Sequence, residues 1–233
     1  SSVKPFIYLT ALNLGYSPLS KIPDISRTYE YRDPKADANA TQEEAKKRWQ
    51  PENYEKTFEG YIPLKEGLVH SVNLATINLV QEIGLNNVHD ELERYGFEEL
   101  PHNLSISLGS FGASPLQMSE YYTIFSNYGT RREPTLVDHI RNQNGDVITF
   151  EPQSTPITQP EQAYLMIDIM REVVERGTGR SVKTEGIELA GKTGTTDDNV
   201  DAWFCGYSPT IQAIAWFGND DNTPMGRLET GGR

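Results

Sequence analysis

The sequence has little that would tie it together covalently or anchor it. It holds one cysteine, Cys205, in 233 residues, so no internal disulfide can form, and the redox compartment stays open. No apolar run approaches the roughly 20 residues that span a bilayer, and no secretory leader opens the chain. Positive charge is scarce. There are 21 Lys and Arg against 33 Asp and Glu, a formal net charge of −12, which argues against a nucleic-acid or anionic-membrane partner. The 4 histidines, His70, His89, His102 and His139, are scattered without ligand spacing, so neither a metal nor another cofactor is expected. There is no initiating Met, and the final ETGGR brings no closing element. Both ends are therefore expected to be cut from a longer protein. The 36% hydrophobic content is ample for one core, or one large domain with a sub-domain.

Several elements are legible. Ser1 to Leu14 reads as a helix, with Pro5 in the first turn and Gly15 as a stop. Asp33 to Arg48 has almost no large apolar residue and is expected to be a solvated insertion or mobile loop. Pro63 to Leu92 and Pro115 to Tyr128 read as helical. TLVDHIRNQNGDVITF reads as a hairpin with Asn144-Gly145 as a two-residue turn. EQAYLMIDIMREVVERG is an amphipathic helix closed by Gly177. IELAGKTGTT, DAWFCGYS and TIQAIAWFG then predict an antiparallel meander, with Cys205 buried as a small hydrophobe.

Gly186 to Thr193 fits the phosphate-loop pattern G-x-x-x-x-G-K-[ST] letter for letter. That loop needs a buried strand before it and a helix after it. RSVKTE before Gly186 is polar, and GTTDDNV after Thr193 is poor helix-forming chemistry. The segment reads better as a strand reaching Lys192 and left open at Gly194, along which a peptide can lie. DDNVDA, Asp197 to Ala202, imitates a calcium loop without its Gly and Glu, and is expected to be a solvated turn.

Three short motifs occur in order: S-x-x-K at Ser1 and Lys4, S-x-N at Ser71 and Asn73, and K-T-G at Lys192, Thr193 and Gly194, followed by Thr195. Each is weak alone. Ser1 by itself reads as an N-cap, Ser71 and Asn73 as turn formers, and Lys192 as a surface lysine. Their order and contexts suit one chemistry. Residues three apart share a helix face, so Lys4 can reach Ser1. A serine needs a base, and lysine is one only when burial or a second cation lowers its pKa. Lys192 is the candidate second cation and Ser71 a proton relay. Asn73 can hold both Lys4 and a substrate amide. Thr193 and Thr195 suit a substrate carboxylate, and the backbone N–H groups of Ser1 and Thr195 an oxyanion.

S-x-x-K, S-x-N and K-T-G together form the signature of penicillin-binding proteins and serine β-lactamases. SSVKPF, WQPENYEKTFEGYIPLKEGLVHSVN, SLGSFGASPLQMSEYYTIFSNYG, REVVERGTGRSV, AGKTGTTDDNVDAWFCGYSP and ETGGR make the chain resemble the transpeptidase domain of class A penicillin-binding proteins over nearly its whole length. The resemblance implies an α/β (α+β) fold: a mostly antiparallel sheet flanked by helices, with a helical sub-domain carrying S-x-N. It also implies missing strands before Ser1 and a missing final helix, so residues 1–233 are expected to be an incomplete domain. The implied enzyme cross-links peptidoglycan at the periplasmic face. A D-Ala-D-Ala stem peptide is the donor, an amine on a neighbouring stem the acceptor, and β-lactams acylate the same serine. The parent is expected to carry a membrane anchor and a glycosyltransferase domain.

Rival readings are a serine β-lactamase, a non-catalytic β-lactam sensor, and an N-terminal nucleophile whose own amine is the base. The first needs a glutamate-activated water, and ELPHNL, Glu99 to Leu104, has the wrong spacing for it. The last leaves Lys4, S-x-N and K-T-G unexplained.

Overall fold

The computed structural model describes residues 1–32, 39, 41, 46–196, 199–226 and 229–232. The chain opens with helix α1 (Lys4–Asn13). Strand β1 (Lys21–Asp24) follows, then an antiparallel ribbon of β2 (Tyr29–Arg32) and β3 (Lys46–Trp49), and β4 (Gly60–Pro63), which returns to pair with β1. Three helices come next: α2 (Leu64–Val69), α3 (Asn73–Ile83) and α4 (Leu85–Tyr95). Helix α5 is Pro115–Ser126. Short strands β5 (Thr130–Arg132), β6 (His139–Arg141), β7 (Val147–Thr149) and β8 (Ser154–Pro156) lead to α6 (Pro160–Arg176). The chain then forms a three-stranded antiparallel sheet of β9 (Ala190–Thr195), β10 (Asp201–Tyr207) and β11 (Gln212–Gly218), in the order β11-β10-β9. This is the expected meander.

Helix α1 is the axis of the core. Phe6, Ile7, Tyr8, Leu9 and Ala11 are fully buried, and so are Lys4 and Thr10. A helix apolar around most of its circumference is stable only when enclosed, and α1 packs against α2, α3, α4 and α6. The Phe6 ring stands 4.9 Å from those of Phe97 and Phe125, 5.4 Å from Tyr122 and 6.1 Å from Tyr95. The polar groups of the helix are satisfied inside: the Thr10 hydroxyl donates to Phe6 O at 3.0 Å, and Tyr8 pairs with Thr76 at 3.2 Å. Buried hydroxyls without such partners would cost stability.

Sequence and structure differ in two places, and a third expectation falls largely outside the described residues. Helix α1 starts at Lys4 rather than Ser1, with Val3 as its N-cap. Ser1 to Val3 form a turn in which Lys4 N–H donates to Ser1 O at 3.1 Å. Ser1 is thus no helix cap. The hairpin β6–β7 closes through a three-residue loop, not two. Asn142 N–H donates to Asp146 O at 3.0 Å and Gly145 N–H to Asn142 O at 3.1 Å. Only Gly145 takes a left-handed φ, 91°, the form in which a type I turn is completed by a bulge glycine. In the expected insertion, residues 33–38, 40 and 42–45 lie outside the described residues. Lys46 to Arg48 belong to β3, where Glu30 pairs with Lys46 at 2.7 Å and with Arg48 at 3.3 Å. Cross-strand opposite charges support such a polar ribbon, a contribution that a search for apolar residues misses. Residues 197 and 198 of the calcium-loop imitation also lie outside the described residues.

Candidate active site

Lys4 is the first residue of α1, and its side chain is fully enclosed. Its amine donates to Ser71 O at 2.7 Å and to Asn73 Oδ1 at 2.7 Å, and lies 3.3 Å from Ser71 Oγ. Lys192, on β9, is equally buried. Its amine donates to Ser71 Oγ at 2.9 Å and to Thr193 O at 2.9 Å. The fold therefore brings one hydroxyl between two amines contributed by residues 4 and 192.

Local structure explains this convergence. Ser71 sits in the turn between α2 and α3 with φ of 54°, a left-handed conformation that is uncommon for a residue with a side chain and marks a turn fixed by its surroundings. Val72 N–H donates to Gly67 O at 2.8 Å, which closes the turn. Asn73 begins α3 and is held from behind, its amide donating to Glu52 O at 3.2 Å. Asn53 accepts Leu74 N–H at 2.9 Å and donates to Asp24 at 2.8 Å. Neither contact stood out in the sequence, although QPEN precedes S-x-N by one turn-rich segment. Ser2 O, next to Ser1, accepts the Tyr122 hydroxyl of α5 at 2.8 Å. The end of the S-x-x-K motif is thereby fixed to the sheet-side helices.

Burial holds the Lys4 amine well below its ordinary range, and the Lys192 charge lowers it further. Burial also pushes Lys192 down, to about 7. Burial thus opposes both ammonium ions, and the neighbouring Lys192 charge opposes that of Lys4 as well. A neutral amine has two hydrogens, which Ser71 O and Asn73 Oδ1 occupy, and its lone pair remains for a hydroxyl proton.

The K-T-G strand presents its residues on alternate faces. A Cβ on Gly194 would lie 3.2 Å from Ser2 N and Oγ and 3.1 Å from Trp203 Cβ, so glycine lets β9 approach the first turn closely. Thr193 Oγ1 lies 2.7 Å from Thr178 Oγ1, and Thr195 Oγ1 accepts Gly231 N–H at 3.1 Å. A cavity of about 380 Å³ is lined by Ser1, Phe111, Met118, Thr195 and Trp203 among others, while Lys4, Ser71, Asn73, Lys192 and Thr193 do not line it. A second, of about 490 Å³, lies around Asn13, Arg94 and Thr158 and contains none of the motif residues.

His70 does not act on Ser71: its Nε2 faces Glu66 at 3.4 Å. Helix α4 carries the one group of metal-type donors among the described residues, His89, Asp90 and Glu93 within 4.8 Å of one another. Histidine spacing alone did not bring up this grouping, and it contains none of the motif residues. Nor is the K-T-G segment a phosphate loop: Lys192 and Thr193 lie inside strand β9, which runs on to Thr195, where a phosphate loop would already have begun its helix.

The turn ending α6 presses on the S-x-N loop. A Cβ on Gly177 would collide with Val69 O and approach Val173 Cα to 2.9 Å. Gly177→Ala is expected to cost about 1–3 kcal/mol of stability, the usual cost of overpacking, read as a lower urea midpoint. An unchanged midpoint would show that this turn has room to move.

The family model described as "Penicillin binding protein transpeptidase domain" matches residues 1–226. The chain is 35% identical over 241 residues to penicillin-binding protein 1A of Neisseria cinerea, covering 100% of this chain and 29% of the relative. It is 34% identical over 234 residues to penicillin-binding protein 1A of Aquifex aeolicus, covering 100% and 31%. The crystal structure of penicillin-binding protein 1A from Haemophilus influenzae superposes with a TM-score of 0.86 at 25% identity, over 100% of this chain and 39% of that one. The chain thus spans about three tenths of the length of these curated relatives.

Proposed function

Because the chain belongs to the penicillin-binding protein transpeptidase family, we propose that it performs D-Ala-D-Ala transpeptidation. It would cross-link peptidoglycan stem peptides through an acyl-enzyme on Ser1 and be acylated there by β-lactams. The observation that carries this reading is the pair of buried amines, Lys4 and Lys192, 3.3 Å and 2.9 Å from the single hydroxyl of Ser71.

In this scheme neutral Lys4 takes the Ser1 hydroxyl proton as Ser1 Oγ attacks the carbonyl of the penultimate D-Ala. The backbone N–H groups of Ser1 and Thr195 receive the developing oxyanion. Collapse breaks the C–N bond. Ser71 passes a proton to the departing D-Ala nitrogen and regains one from the lysine pair, leaving an ester on Ser1. An amine from a neighbouring stem then attacks this ester, and the same groups act in reverse. Asn73 holds Lys4 and the substrate amide, Gly194 keeps the β9 edge open to the peptide, and Thr193 and Thr195 with Lys192 bind the terminal carboxylate. Water in place of the amine gives carboxypeptidase activity.

No helix among the described residues is long and apolar enough to cross a membrane. In the proposed reading, membrane attachment and a glycosyltransferase belong to other segments of a longer parent protein acting at the extracytoplasmic face.

Peptide mapping after incubation with a penicillin tests the reading. The expected result is a stable adduct on the peptide bearing Ser1, together with release of D-Ala from a D-Ala-D-Ala peptide. An adduct on another residue, or none, overturns the nucleophile. Rapid hydrolysis of the drug would identify a β-lactamase, and a stable adduct without D-Ala release a sensor.

A further inference from the structure

The turn after α6 touches both halves of the site. Thr178 N–H donates to Val69 O at 3.3 Å, two residues before Ser71. The Thr178 hydroxyl lies 2.7 Å from that of Thr193, which is only 6% exposed. One of these hydroxyls must donate to the other, and the choice has chemical consequences. A hydroxyl that accepts keeps its own hydrogen for another partner.

Thr195 offers the parallel case. Its Oγ1 accepts the Gly231 N–H, which leaves its hydrogen to point elsewhere. If Thr193 likewise accepts, both threonines, two residues apart on one face of β9, keep hydrogens for the carboxylate that Lys192 is proposed to attract. Two O–H donors and an ammonium make a charge-assisted set suited to a carboxylate. If Thr193 donates to Thr178 instead, one of the three donors is lost.

We propose that Thr178 is a positioning residue for the substrate carboxylate: its hydroxyl donates to Thr193 Oγ1 and so commits the Thr193 hydrogen to the ligand. The proposal rests on the reading of Thr193 and Thr195 as carboxylate partners and names what fixes one of them. Thr178 itself need not touch the substrate. It acts on binding of one functional group, not on the proton transfers around Ser71.

The test is the concentration dependence of acylation by benzylpenicillin and by its methyl ester, which lacks the carboxylate charge. Thr178→Val keeps the side-chain shape and the N–H clip to Val69 but removes the hydroxyl. It is expected to raise the half-saturating concentration of the free acid about tenfold, the scale of one hydrogen bond to a charged system, and to leave the limiting rate within about twofold. Thr178→Ser is expected to restore wild-type behaviour. The ester should acylate wild type and Thr178→Val alike. Equal half-saturation of wild type and Thr178→Val by the acid would overturn the proposal, and so would an equal loss with acid and ester, which indicates a packing defect. Failure of the wild-type protein to acylate at Ser1 would instead remove the reading of the whole site.

Discussion

Lys4→Met is expected to slow acylation of Ser1 by a fluorescent penicillin by about 10³–10⁴-fold, near the upper end of what a general base contributes. Methionine nearly matches the lysine stem, so the fully enclosed channel through α1 stays filled. What is lost is the amine, with its two 2.7 Å hydrogen bonds to Ser71 O and Asn73 Oδ1. Some of the rate loss could therefore come from a loosened Ser71 turn. Lys4→Arg separates the two effects. Arginine keeps donors for these acceptors but holds its proton throughout the accessible pH range. If Lys4 is the base, Lys4→Arg stays as slow as Lys4→Met. If Lys4 serves only to hold the turn, Lys4→Arg recovers much of the rate. A Lys4→Met protein that acylates within tenfold of wild type would remove Lys4 from the chemistry.

Part of this site is legible in the sequence. Periodicity and stop signals located α1, α5 and α6, and the turn-separated β-rich runs foretold the meander, because local patterning alone decides such elements. S-x-x-K, S-x-N and K-T-G could be noticed as three strings. Their meeting could not be derived from any of them, because it depends on α1 being enclosed and on β9 approaching its first turn, with Gly194 against Ser2. The supports were less visible still. Asn53, Tyr122, Gly177 and Thr178 act on Leu74, Ser2, Val69 and Thr193, which lie 15 to 120 positions away along the chain. Such contacts leave no periodic trace. The hairpin loop was misread for a simpler reason: Asn-Gly fits a two-residue turn, but it also fits the last two places of a three-residue loop, and register decides.

The second large effect concerns Lys192, whose replacement by methionine is expected to do two things. The plateau acylation rate should fall on the order of 10²-fold, since the proposed partner of the carboxylate and the proposed proton donor to Ser71 are lost together. The pH dependence should also move in a direction that burial alone does not predict. If neutral Lys4 is the base, as proposed, the acylation rate of the free enzyme falls as pH drops through the Lys4 pKa. In the wild type that value is lowered first by burial and then by the Lys192 charge. Removing the charge leaves burial in place, so the Lys4 pKa rises toward, without reaching, its ordinary 10.5. The acid limb of the acylation profile must therefore shift to higher pH in Lys192→Met. Stability supplies an independent sign. Lys192 titrates at about 7 in the folded chain against an ordinary 10.5, so between those values the unfolded chain binds more protons and wild-type stability rises with pH. Lys192→Met should flatten part of that rise in urea titrations. A lower acid limb in the variant would mean that Lys192 acts on Lys4 as a proton acceptor rather than as a neighbouring cation, and the roles of the two lysines would have to be exchanged.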